Sequence, residues 1–270
     1  MARSKEAKSG EGASYLVTSV DRAMQLLLAL VDHPDSGVTE LAEATQNTKS
    51  LTFRLLYTLE QRGLVRKDPE RRTYTLGYAA LLLGDQSRQQ SRLITTADPV
   101  LADLSAKTEE NALLLVREGV QHICVAMCAS PHPLRIFAAV GRKGPLHAGG
   151  GPKILLAHAP DEVVHDVVSG ALEAFTEVSP TDPDALASVL EVIRQEGYVI
   201  SIGELDPNIF SIAAPVRDAS GEVVAALAVN GPTGRLSDDI RDQILSHVLE
   251  AADRLSRLLG WRERADIRIG

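Results

Sequence analysis

Lys49, Ser50, Thr52, Phe53, Arg54 and Tyr57 fall within nine residues, and Arg66, Lys67, Arg71 and Arg72 follow within the next fifteen. Cationic, hydroxyl and aromatic side chains interleaved in this way suit contact with a polyanionic duplex. Guanidinium and ammonium groups meet phosphates, Arg and Ser can also meet base edges, and an aromatic ring can meet a thymine methyl. A second apolar interface is the alternative use of the aromatic pair. The segment NTKSLTFRLLYTLEQRGLVRKDPERRTYTLG, residues 47–77, holds seven Lys or Arg against three acids in a chain of net charge -8. Residues 1–76 carry 11 Lys/Arg against 10 Asp/Glu, whereas residues 77–270 carry 17 against 26. Such an asymmetry suggests two modules with different partners.

The elements that must position these side chains are local. A helix from about Thr48 to Arg62, stopped by Gly63, puts Leu51, Leu55, Leu56 and Leu59 on one side. Lys49, Ser50, Phe53, Arg54, Tyr57 and Gln61 fall on the other. Ahead of it, a helix capped by Ser19 and ended by Pro34 sets Val20, Ala23, Met24, Leu27, Leu30 and Val31 at core spacing. A short helix behind Thr39 carries Leu41 and Ala42. After Gly63, LVRKDPERRTYTLG reads as strand, turn and strand, with Pro69 in the turn. Three helices followed by a basic hairpin make a winged helix-turn-helix, whose third helix enters the major groove while the hairpin meets phosphates or the minor groove. Arg66, Lys67, Arg71 and Arg72 are then phosphate contacts; Ser50, Phe53, Arg54 and Tyr57 are candidates for base contact, with a phosphate clamp as the other use of Arg54.

The remaining chain reads as an α+β module. Tyr78 to Leu93 is compatible with a linker helix whose leucines pair with a second copy or pack on their own domain. Asp98 and Pro99 open a helix carrying Val100, Leu101 and Leu104 inward. The runs ALLLV, HICVAMCA, RIFAAV, YVISIG, FSIAAPV and EVVAALAVN read as strands in a mainly antiparallel sheet, with helices opened by Asp182 and by Ser237. In GPLHAGGGPK, residues 144–153, three glycines precede a helix, where bare amides favour an anion such as a carboxylate; a flexible loop is the alternative. Lys153 either pairs with an acidic ligand or points to solvent. Cys124 and Cys128 are four apart on one strand, with spacing for one face rather than for a disulfide. Neither they nor the scattered histidines suggest a metal or cofactor, and no GxSxG, HExxH or CxxC pattern is present. The composition, 44% apolar with no run long enough for a membrane helix and no signal-like start, predicts a cytoplasmic globular protein.

Taken in order and spacing, SVDRAMQLLLAL, VTELAEAT, TKSLTFRLLYTLEQRGLV, YTLG, IRQEGYVISIGE, SIAAPVRDASGEVVAALAVNGP and LSRLLG resemble the IclR family of bacterial transcriptional regulators, over nearly the whole chain. The start MARSKEAKSGEGAS predicts a disordered tail at 1–13, and the resemblance implies a winged helix-turn-helix domain at 14–77 and a linker helix at 78–94. It further implies a GAF-like effector-binding and oligomerisation domain at 95–262, followed by a tail at 263–270. It implies dimers or tetramers on palindromic double-stranded operators, with operator binding modulated by a small effector, here an organic acid. Carried over by position, Gly149, Gly150, Ser201, Ser211, Ala228 and Asn230 face the effector, and Glu204 matches a family glutamate of ligand-binding or structural role. The sequence departs from the family pattern at Pro152-Lys153-Ile154 and at Asn208. An enzyme acting on a small organic acid or ester through the second module is the alternative function.

Overall fold

The computed structural model describes residues 15–133, 136 and 138–262; the expected tails at 1–13 and 263–270 lie outside the described residues. Two compact units divide the chain, the first ending at Gln90 and the second starting at Ser91.

In the first unit, helix α1 (Thr18–Asp32), strand β1 (Ser36–Gly37), helices α2 (Val38–Ala44) and α3 (Lys49–Gln61), strands β2 (Val65–Lys67) and β3 (Thr73–Leu76) and helix α4 (Tyr78–Gln90) follow in order. The strands form an antiparallel sheet ordered β1-β3-β2. β2 and β3 are the predicted wing; β1, only two residues long, is too short for alternation to reveal it. The core consists of Leu26, Leu30, Leu41, Leu56, Leu59, Val65 and Tyr74. Its α1 stripe is Ala23, Leu26, Leu27 and Leu30, whereas Val20, Met24 and Val31, expected inward, are exposed. Apolar residues occupy most of the circumference of α1, so periodicity permits more than one stripe and packing against α2 and α3 selects between them. Ser19 is not its cap: the helix begins at Thr18 behind Val17. Nor is Thr39 a cap, because α2 starts one residue earlier and Glu40 accepts a hydrogen bond from the Gly37 amide at 2.7 Å. Helix α3 runs as predicted, with the Thr48 hydroxyl accepting from the Leu51 amide at 3.3 Å and Gly63 in the left-handed region at φ 69°. A Cβ on Gly77 would lie 2.1 Å from the Gly63 carbonyl oxygen, so the end of the wing packs backbone against backbone on the turn after α3.

The helix expected to run to residue 94 stops at Gln90, buries none of its residues and exposes Leu81, Leu82 and Leu83. A new helix, α5 (Arg92–Thr108), starts behind Ser91, whose hydroxyl accepts from the Ile94 amide at 3.4 Å. Asp98 is therefore not a cap and Pro99 lies inside the helix. Ser91 offers the same capping chemistry earlier, and Leu93, Ile94 and Ala97 gain core contacts by the extension.

The second unit continues with β4 (Asn111–Glu118), β5 (Gln121–Cys128), β6 (Lys143–Pro145), α6 (Gly150–Ala157), α7 (Asp161–Val168), α8 (Pro183–Glu196), β7 (Val199–Ile202), β8 (Ile209–Arg217), β9 (Val223–Pro232) and α9 (Asp238–Leu258). Its six strands form one antiparallel sheet ordered β6-β5-β4-β9-β8-β7, the α+β architecture expected. Ala112, Leu114, Ile212, Leu227 and Val229 pack on α5 and α9. The other face, with Leu113, Leu115, Ala213, Ala226 and Ala228, packs on α6 and α8. Of the run expected as a strand at 135–140, Arg135 and Phe137 lie outside the described residues, and Ile136, Ala138, Ala139 and Val140 are not in a strand. A register shift between Leu114 and Leu115 leaves Val125 unpaired. That bulge reverses the alternation, so Cys124 faces α6 and Cys128 the opposite core, not one shared face. Both thiols are free.

Candidate functional site

Helix α3 presents Lys49, Ser50, Phe53, Arg54 and Tyr57 to the outside, with Phe53 49% and Tyr57 56% exposed. The aromatic pair is thus not spent on the core, which Leu56 and Leu59 fill from the opposite side. Thr52 is a correction to the expected set: its side chain is wholly buried, and its hydroxyl has no hydrogen-bond partner among the described residues. It lies one helical turn ahead of Leu56 and so turns inward with it.

Asp68 shapes the wing. Its Oδ1 accepts from the amides of Glu70 at 2.9 Å and Arg71 at 3.0 Å, and its own amide donates to the Thr73 carbonyl at 2.8 Å. Those bonds, the Arg71 amide foremost, hold the Asp68 carboxyl below the usual carboxylate range. Arg71 and Arg72 are left exposed at the tip, Arg72 at φ 58°. Arg66 is exposed on β2, while Lys67 is half-buried with its ammonium 5.8 Å from the Tyr74 ring centre.

The second unit holds a cavity of about 690 Å³, within the size range of small-molecule sites. Three residues of its floor are polar. Ser201 pairs with Ser211 and Ser211 with Asn230, a row that Asn111 continues on β4 beyond the cavity lining, so four adjacent strands contribute one polar residue each to the same face. Two residues along, the row is apolar: Val199, Ala213, Ala228 and Leu113.

Helix α6 closes over this row, and its glycines set the approach. A Cβ on Gly150 would lie 2.7 Å from the Ser211 hydroxyl oxygen, and one on Gly151 2.3 Å from the Leu115 Cδ1. Gly149 sits at φ 90°. The glycine run therefore serves close helix-to-sheet packing rather than a flexible loop. Glu204 locks it: one carboxylate oxygen accepts from the Gly149 amide at 2.9 Å and the other pairs with the Lys153 ammonium. Lys153 is thus turned to Glu204 rather than to solvent, and the carboxylate ties the helix N-terminus in place at the cavity edge. Ser179 in turn donates to the Glu204 carbonyl at 2.7 Å.

Gly149, Gly150, Ser201, Glu204, Ser211 and Asn230 all line the cavity. Ala228 does not; it is fully buried, and Gly151 lies over it. Leu113, Leu115, Phe175, Leu205, His122 and Arg142 also line the space, and sequence reasoning assigned none of them to a ligand. They come from separate segments with no common motif, so only the assembled sheet brings them together. The ring nitrogen Nδ1 of His122 is 2.9 Å from the Pro145 carbonyl, and burial lowers its pKa. Burial likewise pushes the Cys124 thiol up to about 11, so it is no thiolate nucleophile at neutral pH. The Asn230 Oδ1 is buried without a donor among the described residues. No group of three metal-ligating side chains occurs among the described residues.

A winged helix-turn-helix with an outward cationic and aromatic helix face, followed by an α+β unit holding a cavity of small-molecule size, defines a DNA-binding transcriptional regulator. The chain belongs to the IclR family: the model of the IclR helix-turn-helix domain matches residues 19–69, and that of the bacterial transcriptional regulator IclR C-terminal domain matches residues 86–257. It is 33% identical over 251 residues to the HTH-type transcriptional regulator BhcR of Paracoccus denitrificans, covering 93% of this chain and 89% of that one. Against the transcriptional repressor IclR of Escherichia coli it is 29% identical, with 95% of each chain covered. The crystal structure of an IclR transcriptional regulator from Alicyclobacillus acidocaldarius superposes with a TM-score of 0.84 at 28% identity, over 91% of this chain and all of that one.

Proposed function

We propose that Lys49, Ser50, Phe53, Arg54 and Tyr57 of α3 read an operator in the major groove while Arg66, Lys67, Arg71 and Arg72 of the wing hold its phosphates. The cavity over the Ser201–Ser211–Asn230 row takes a small organic acid, and its occupancy changes operator affinity. The protein acts in the cytoplasm as a homo-oligomer on a palindromic operator, by binding rather than turnover; among the described residues no helix is long and apolar enough to cross a membrane. The observation that supports this reading best is the exposure of Phe53 and Tyr57 beside Lys49, Ser50 and Arg54, since two rings set among cationic and hydroxyl groups, turned away from a complete leucine core, suit an external partner.

Mobility-shift titration of DNA upstream of its own and adjacent genes, at physiological salt, tests the first half. Specific binding that small organic acids release or enhance is the expected result. Binding no tighter than to unrelated DNA, or catalytic consumption of the acids, would overturn it.

A further inference from the structure

Helix α6 has the ligand cavity at its N-terminal end, where Gly149, Gly150 and Pro152 line it. At its other end Leu155 and Ala157 line a different cleft, of about 750 Å³, into which Arg117, Arg194 and Arg217 open from β4, α8 and β8. Three guanidiniums in one cleft are out of keeping with a region that carries 17 Lys/Arg against 26 Asp/Glu.

Their positions are built rather than loose. Arg194 Nε donates to the Ala157 carbonyl at 2.6 Å and its Nη1 to Glu191 at 2.9 Å. Arg217 Nη1 donates to the Gly221 carbonyl at 3.0 Å, and its Nη2 lies 3.4 Å from His158 Nε2. The other ring nitrogen of His158 is 3.0 Å from the Ile154 carbonyl. With Nδ1 donating there, Nε2 is left to accept from Arg217, which requires a neutral ring. Burial, and then the charges of Arg217 and Arg194, keep the ring in that form by lowering its pKa. Among the described residues the Arg117 side chain makes a single hydrogen bond, to the Gly119 carbonyl at 3.0 Å.

Each guanidinium carries five N–H donors, of which these bonds use one or two. Asp161 and Glu222 also line the cleft, but among the described residues neither forms an ion pair with the three arginines. Asp161 lies in the first turn of α7, where its charge complements the helix N-terminus. Arg194 is ion-paired with Glu191 at 2.9 Å, but all three guanidiniums keep unused planar donors, which suit an anion that can accept several forked hydrogen bonds at once.

We propose that this cleft is a second ligand site, separate from the cavity, for a polyvalent oxyanion bound by Arg117, Arg194 and Arg217. Phosphate and carboxylate groups share the recognising chemistry, so inorganic phosphate and citrate are the probes. Thermal unfolding of the full chain is followed against each probe, with sodium chloride at matched ionic strength as the reference. A saturable rise in Tm beyond that reference is expected with at least one probe. Phosphate alone would mark a phosphoryl ligand, citrate alone a polycarboxylate, and both a site tolerant of either.

The concentration for half-effect should rise about tenfold or more in Arg117→Gln, a variant that gives up only one bond to an exposed turn. Arg217→Gln should act the same way, and the losses place the effect in this cleft rather than in the cavity. A response no larger than that to sodium chloride would overturn the proposal, as would equal responses in wild type and both variants. In either case the arginines would serve only to cap α6 and the β4–β5 and β8–β9 turns.

Discussion

The Lys153 ammonium is paired with the Glu204 carboxylate at the N-terminal end of α6, their side chains only 5% and 13% exposed. The second oxygen of Glu204 accepts from the Gly149 amide at 2.9 Å, so one buried pair fixes the helix, its glycine entry and the edge of the cavity together. Breaking it from either side strands a largely buried charge without its partner. Glu204→Gln and Lys153→Met should each cost about 3–5 kcal/mol, whereas the double variant should recover much of the loss. Urea unfolding of the four proteins measures the coupling; a value near zero would show the pair to be incidental.

On the wing, Arg71→Ala and Arg72→Ala should weaken DNA binding by a similar factor on every sequence, and each should reduce the steepness of the salt dependence by about one. Arg54→Ala, if Arg54 meets a base, should instead cost about 1–3 kcal/mol on the operator alone and relax preference at one position. Salt-series mobility shifts with operator and scrambled DNA separate the two; a uniform effect from Arg54→Ala would make it a phosphate clamp.

Thr52 and its neighbour Phe53 should respond in opposite ways. Thr52→Val removes a buried, unpartnered hydroxyl at constant shape, so stability should hold or rise by up to about 1 kcal/mol with DNA affinity unchanged. Phe53→Ala, at an exposed position, should leave stability within about 0.5 kcal/mol while reducing operator affinity. Denaturation and binding measured on both variants decide this; unfolding of Phe53→Ala would return the ring to a packing role.

His122 and His158 both have folded pKa values below the ordinary histidine value, chiefly through burial. The unfolded chain therefore binds more protons than the folded one as pH falls below about 6.5. Their stabilising contribution is complete above that pH and is lost as pH falls through the lower folded values. Tm of the second unit should drop between about pH 7 and pH 5, and the drop should be shallower in His122→Gln. An equal slope in that variant would assign the effect elsewhere.

Local rules made the third helix and the wing legible. The Thr48 cap, the leucine stripe and Gly63 act within a few residues of one another, and the aromatic and cationic face follows from the helical period alone. The same rules placed β4, β5, β7, β8 and β9 of the second unit, though not β6, and the helices opened by Asp182 and Ser237. They failed where two local solutions competed. On α1 several apolar stripes were available, and Ser91 capped α5 before Asp98 could. Thr52 was misplaced because its polarity suggested solvent while its angular position put it with Leu56.

What the sequence determined by itself is the two-module order, the outward cationic and aromatic face of the third helix and most residues of the polar row, because each depends on interactions close along the chain or on motif spacing. Tertiary structure alone decided that the three glycines are a packing device, that Lys153 is spent on Glu204, and that a bulge at Val125 separates the two cysteines. It also decided which leucines and histidine wall the cavity and that three arginines converge at the far end of α6. Those facts depend on strand register and on contacts between groups as much as 100 positions apart, which no short-range pattern encodes.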